Sequence, residues 1–149
     1  MKISILLPYK ENFSPIYAGA VSLFVKDTTK ISKYKKFITI YGSTTLKKIF
    51  NLKYKNIVLK KNLIQSGSKI YVNEFLKHEQ LKPSDIIEIH NRPNYFHLIN
   101  KFKTNQKIVL YFHNDPLTMT GSRSISDRKN LLEHATKIIF NSHWSKKRF

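Results

Sequence analysis

The 149-residue chain has no cysteine, one tryptophan, four glycines and five prolines. Without thiols, disulfides and thiolate-bound metals are excluded, and a cytoplasmic setting is the default reading. Long hydrophobic runs are also missing: no apolar stretch approaches the roughly 20 residues that span a bilayer. The apolar start, Ile3 to Leu7, is shorter than the about 7–15 residues of a signal-peptide core, and no small-residue cleavage site follows it. It reads as a first strand. Several phosphate and catalytic signatures are absent too. There is no Walker-type glycine loop, no dinucleotide glycine fingerprint after the first strand and no nucleophile elbow.

Negative charge is scarce. Nine Asp and Glu face 27 Lys and Arg, for a formal charge of +18. Such a balance attracts polyanions: nucleic acid, anionic lipid or a phosphorylated glycan. The excess is almost all lysine, and the same usage, with abundant Ile, Asn, Tyr and Phe, follows from an AT-rich genome. Arginine, the residue of bidentate base and phosphate contacts, is rare. Hydrophobic residues make up 41%. That is too much for a disordered chain, and the length suits one domain with a real core.

Short apolar runs alternate with helical stretches. Ile3–Leu7, Phe37–Tyr41, Asn56–Leu59, Ile86–Ile89, Lys107–Phe112 and Lys137–Phe140 read as strands. Helical patterns run from Ala18 to Lys26, Lys69 to Gln80, Tyr95 to Ile99 and Ser126 to Ala135, with Ser126 as the expected N-cap of the last of these. Ser142 is the expected cap of a final helix that begins at His143. This order predicts an α/β fold, a Rossmann-like three-layer sandwich with a mostly parallel sheet, in a single domain over 1–149. The final helix has barely begun at Phe149, as if the chain were part of a longer protein.

Two strand ends carry the candidate chemistry. Ile86-Ile87-Glu88-Ile89 runs into His90-Asn91-Arg92-Pro93, and Ile108 to Phe112 runs into His113-Asn114-Asp115-Pro116. Ligands of open parallel sheets bind beyond the carboxyl ends of the strands. A rigidly held imidazole there can donate a hydrogen bond to a ligand hydroxyl or a developing charge, which makes His113 the leading candidate. His90, Asn91, Arg92, Asn114, Asp115, Asn141 and Ser142 are candidate substrate contacts. Asn91, Asp115, Asn141 and Ser142 also suit turn and cap roles. Gly19, at a helix start, could cradle phosphate on free N–H groups or serve tight packing. His97 and His134 have no partner at metal-ligand spacing. His90 and His113 lack the thiolate or carboxylate pattern of a metal site, so no metal and no cofactor are expected. Lys33, Lys35, Lys36, Lys47, Lys48, Lys53, Lys55, Lys60 and Lys61 are interleaved with Tyr34, Phe37, Phe50 and Tyr54. This suits a membrane surface, an anionic acceptor or simply a solvated face.

These segments, in this order, resemble the amino-terminal half of a family 4, GT-B-fold glycosyltransferase. The resemblance spans nearly the whole chain. Ile5-Leu6-Leu7-Pro8 resembles the opening strand, and Tyr17-Ala18-Gly19-Ala20-Val21 stands at the family's glycine-glycine turn. Asp85 to Pro93 is similar to its histidine-asparagine-arginine-proline segment, and Tyr111-Phe112-His113-Asn114-Asp115 to the strand ending in the sugar-site histidine. Lys137 to Ser142, with Trp144-Ser145, matches its last segment. The resemblance implies a metal-independent, retaining transfer of sugar from a nucleotide-diphosphate donor to an anionic glycan or glycolipid. His113 would lie near the transferred sugar and Gly19 near the diphosphate. It also implies that the donor-binding carboxyl-terminal domain is absent from these residues, so this chain alone should be inactive or nearly so. Ala18 replaces the first glycine, and its methyl narrows the approach of a diphosphate to the backbone. Peripheral contact with the inner membrane face and a homodimer are further expectations. Two readings compete: a basic nucleic-acid-binding module and a non-catalytic α/β interaction domain.

Overall fold

The computed structural model describes residues 1–59, 66–102 and 105–149. Six strands form one sheet in the order β3-β2-β1-β4-β5-β6: β1 (Ile3–Leu6), β2 (Ile38–Gly42), β3 (Tyr54–Asn56), β4 (Ile86–His90), β5 (Lys107–Phe112) and β6 (Lys137–Phe140). Every pairing is parallel. This is the α/β three-layer architecture expected from the alternation of patterns, with the strand order of dinucleotide-type folds. β1 and β4 flank the point where the strand order reverses. All carboxyl ends lie along one edge of the sheet.

Burial on both faces explains the near-continuous apolar strands. On one face α1 (Ala20–Ile31) sets Val21 and Val25 against Ile3, Ile5, Leu7, Ile38 and Ile40. On the other, α2 (Gly67–Leu81), α3 (Pro93–Asn100) and α4 (Ile125–His134) bring Tyr71, Phe75, Phe96 and Leu131 onto Ile87, Ile89, Leu110 and Phe112. The short α5 (His143–Arg148) follows β6, and Phe149 packs on Phe112 and Phe140. Among the described residues, no helix is long and apolar enough to cross a membrane.

Several expected boundaries move. The third strand is Tyr54–Asn56, earlier than Asn56–Leu59. As an edge strand it buries little, and its anchor is the Tyr54 ring stacked on Phe13 at 5.1 Å. α1 begins two residues after Ala18 and runs on to Ile31. α2 begins at Gly67 because the Ser66 side chain accepts from the Lys69 N–H. Pro93 opens α3, two residues before Tyr95, as a proline suits a first helical turn. The cap of α4 is Ser124, not Ser126. Ser124 Oγ accepts from the Asp127 N–H at 3.0 Å, and the Asp127 carboxylate accepts from the Ser124 N–H. This reciprocal box satisfies two helix-end donors at once, and Ser126 offers no such arrangement.

Candidate functional site

The two histidine-bearing strand ends lie side by side. His90 closes β4 opposite Tyr111 of β5, and His113 follows β5 by one residue. Side chains two apart on a strand share a face, so Glu88 and His90 join Tyr111 and His113 on the α1 side of the sheet. They meet there. His90 Nδ1 lies 2.9 Å from His113 Nε2, and His90 Nε2 lies 2.5 Å from Glu88 Oε1. Tyr111 stacks on both imidazoles, at 5.3 Å from His90 and 4.7 Å from His113, and Phe24 of α1 meets His113 edge-on at 4.9 Å. His90 is fully buried, His113 half-buried.

Asparagines at the ends of β4 and β6 clamp the His113 backbone. Asn91 adopts a left-handed conformation (φ 55°), donates its N–H to the Tyr111 carbonyl at 2.8 Å and accepts the His113 N–H on Oδ1 at 3.3 Å. Asparagine tolerates that φ better than most residues. From the opposite side, Asn141 Nδ2 donates to the His113 carbonyl at 2.7 Å. Ser142 caps α5 by accepting from the Ser145 N–H, and Ser145 donates to Asn141 Oδ1. His113 is thereby held from β4 and from the end of β6.

The other candidates separate by position. Arg92 donates to the Asn91 carbonyl at 2.8 Å. With Asn91, Asn94, Asn114 and Ser68 it lines a polar cavity of about 420 Å³ at the carboxyl edge. The imidazole pair is not in that wall; Asn91 joins the two features. Asp115 accepts the Leu117 N–H and pairs with Arg148 at 3.0 Å, which holds its carboxyl below the usual carboxylate range. Its contacts are those of a turn former. Gly19 is the N-cap of α1, but the Glu11 side chain sits against it and accepts the Ser22 N–H at 3.1 Å. A carboxylate of the chain itself thus fills the position where an anion would bind a helix start. Among the described residues, no group of three or more potential metal ligands gathers.

The lysines divide as well. Lys33, Lys35, Lys36 and Lys53 surround a cavity of about 610 Å³ beside Ile38, at the amino-terminal edge of the sheet and opposite the histidines. Lys47, Lys48 and Lys55 are exposed. Lys60 and Lys61 lie outside the described residues.

No known family model matches this chain, and no curated protein matches it. Glu88, Tyr111, Phe24 and Glu11 were not singled out from the sequence. The first two were within reach, because alternation alone places them beside the histidines. Phe24 and Glu11 depend on tertiary packing.

The environment of His113 has a consequence for stability. Burial, and then the neighbouring His90, push its imidazole down from 6.5 to about 4, against a smaller upward pull from Glu88. Between those two pH values the unfolded chain binds a proton that the folded chain refuses, so stability falls with acidification through that window and is unaffected by this group above it. The effect expected after solvent screening of the half-buried ring is about 1–2 kcal/mol. Urea titrations at pH 7 and pH 4 should show that excess loss in the wild type and a smaller one in His113→Gln. Equal losses in both would refute the assignment.

Proposed function

We propose that this chain is the acceptor-side domain of a retaining glycosyltransferase, with His113 facing the transferred sugar. One observation carries the reading. The residues that bear the family resemblance in three separate segments, Asn91, His113 and Asn141, converge in one hydrogen-bonded unit at the carboxyl edge of the sheet. Edges of this kind are where open parallel sheets bind ligands. The polar cavity lined by Arg92 and Asn114 adjoins it and offers amides, hydroxyls and one guanidinium, a lining suited to a polyhydroxylated acceptor.

In this reading the donor is a nucleotide-diphosphate sugar held mostly by a further domain. Glu11 gives way when a diphosphate approaches Gly19. The lysine-rich surface docks the domain on anionic glycolipid at the inner membrane face. A second reading is favoured by the lysine-lined cavity: a polyanion such as nucleic acid binds at the opposite edge, and the histidines play no part.

The two readings separate by where ligands land. Backbone amide spectra of the ¹⁵N-labelled chain would be followed during titration with a panel of nucleotide-diphosphate sugars and glycans. Shifts should gather at His90–Arg92 and His113–Asp115, and His113→Ala should weaken the affinity about tenfold, the value of one good hydrogen bond. If no sugar ligand perturbs that edge while an oligonucleotide binds at Lys33–Lys53 with sequence preference, the sugar-transfer reading is wrong.

A further inference from the structure

Glu88, His90 and His113 form a hydrogen-bonded line, and with both rings neutral its chemistry dictates the direction in which it runs. A carboxylate oxygen only accepts, so the His90 Nε2 that faces Glu88 at 2.5 Å carries a hydrogen. Neutral imidazole protonated at Nε2 has a bare Nδ1. His90 Nδ1 therefore accepts, and the hydrogen between the two rings belongs to His113 Nε2, 2.9 Å away. The same rule applied once more leaves His113 with a bare Nδ1. Among the described residues, that atom has no protein partner. The rings cannot easily rearrange. His90 is fully buried and nearly parallel to the Tyr111 ring stacked on it (9°), while His113 is held between Tyr111 and Phe24.

We propose that Glu88 and His90 are positioning residues that hold His113 in its Nε2-protonated form, so that the ligand-facing atom of His113 is the Nδ1 lone pair. The group selected at that atom is a hydroxyl that donates a hydrogen bond. A carbonyl oxygen or a fully ionised phosphate oxygen has no hydrogen to give and is not accepted there. The sequence reading expected His113 to donate, but the nitrogen able to donate is committed to His90. The identity of the hydroxyl as a sugar's rests on the proposed function. The tautomer does not, because it is a property of the chain without ligand.

Long-range ¹H–¹⁵N spectra of the imidazole rings distinguish protonated from bare nitrogens directly. In the wild-type chain at pH 7.5, both His90 and His113 should show a protonated Nε2 and a bare Nδ1. Glu88→Ala removes the acceptor that orients His90, so the Nδ1-protonated form of His113 should rise several-fold. Glu88→Gln can still accept through its amide oxygen and should restore the bias. A His113 protonated at Nδ1 in the wild type overturns the proposal, whether or not the variants fold. So does a His113 tautomer unchanged in folded Glu88→Ala. Failure of every sugar to bind with the tautomer intact overturns the proposed function alone. Sugar binding at the edge with the tautomer bias absent overturns this inference alone.

Discussion

Replacing Glu79 with leucine is expected to cost about 3–5 kcal/mol and to lower the melting temperature by about 10 °C or more. Glu79 sits on α2, almost wholly buried, yet its carboxylate reaches three other segments. Oε1 accepts from the Ser4 hydroxyl of β1 at 2.6 Å. Oε2 accepts from the Ser84 N–H at 2.8 Å, from its hydroxyl at 2.7 Å and from the Gln106 amide at 2.7 Å. All four partners are donors, and a carboxylate is acceptor-only, so the site is fully matched. Leucine fits the volume but leaves the buried Ser4 and Ser84 groups unpaired, and each such group costs about 1–3 kcal/mol. Glu79 also borders a cavity of about 780 Å³ at the amino-terminal edge, where water can reach some of these groups and reduce the sum. Glu79→Gln keeps one acceptor oxygen and should lose less than half as much. Denaturant titrations of both variants test the ranking. A leucine variant within about 0.5 kcal/mol of wild type, the range of a neutral surface change, would show that the network contributes little.

Glu79 also marks where sequence reading stops. The strands were legible because burial on both faces makes each a short, β-branched-rich apolar run bounded by turn residues. β5 and β6 fall where the pattern put them. β3 did not, because an edge strand has little apolar surface to advertise: Tyr54-Lys55-Asn56 is mostly polar, and its pairing comes from β2. Helix starts were legible only where a single cap competed. Ser142 stood alone and was found, whereas Ser124 and Ser126 are equivalent until the Asp three residues after Ser124 is counted.

The candidate site divides in the same way. His90, Asn91, His113 and Asn141 could be picked out as polar residues ending apolar runs. Their mutual contacts span 22 to 28 residues of sequence and exist only because β4, β5 and β6 are neighbours. Pairs such as Glu79 with Ser4, 75 residues apart, carry no local signal at all. Local patterns therefore named most participants and missed the contacts among them.

Gly121→Ala should be nearly as damaging, for a reason that involves no lost hydrogen-bonding group. Gly121 has φ +94°, a conformation that residues with a side chain rarely adopt. A Cβ there would stand 2.5 Å from the Asn94 nitrogen and 2.8 Å from its Cα, both backbone atoms at the first turn of α3. Neither can swing aside as a flexible side chain would. The strained backbone costs about 1–3 kcal/mol, and the overlap a further 1–3 kcal/mol. The segment has few ways to relax. The Gly121 carbonyl accepts from His97 Nε2 at 2.8 Å, and the neighbouring Ser122, fully buried, donates its hydroxyl to the Pro116 carbonyl at 2.5 Å. A net loss of about 2–4 kcal/mol is expected, with Thr120→Ala at the exposed neighbouring position near zero. Part of the strain should be released locally, by lifting the Pro116–Ser124 segment from α3, because loops yield before packed sheets do. Amide hydrogen exchange would show this as faster exchange at Met119 and Ser122, with β4 and β5 still protected. That segment supplies Thr118, Met119 and Thr120 to the polar cavity beside Asn91. The same variant should therefore weaken any ligand bound there while leaving the Glu88–His90–His113 line in place. A Gly121→Ala chain as stable as wild type, with unchanged exchange at Ser122, would mean that the close approach of this loop to α3 is not a feature of the folded protein.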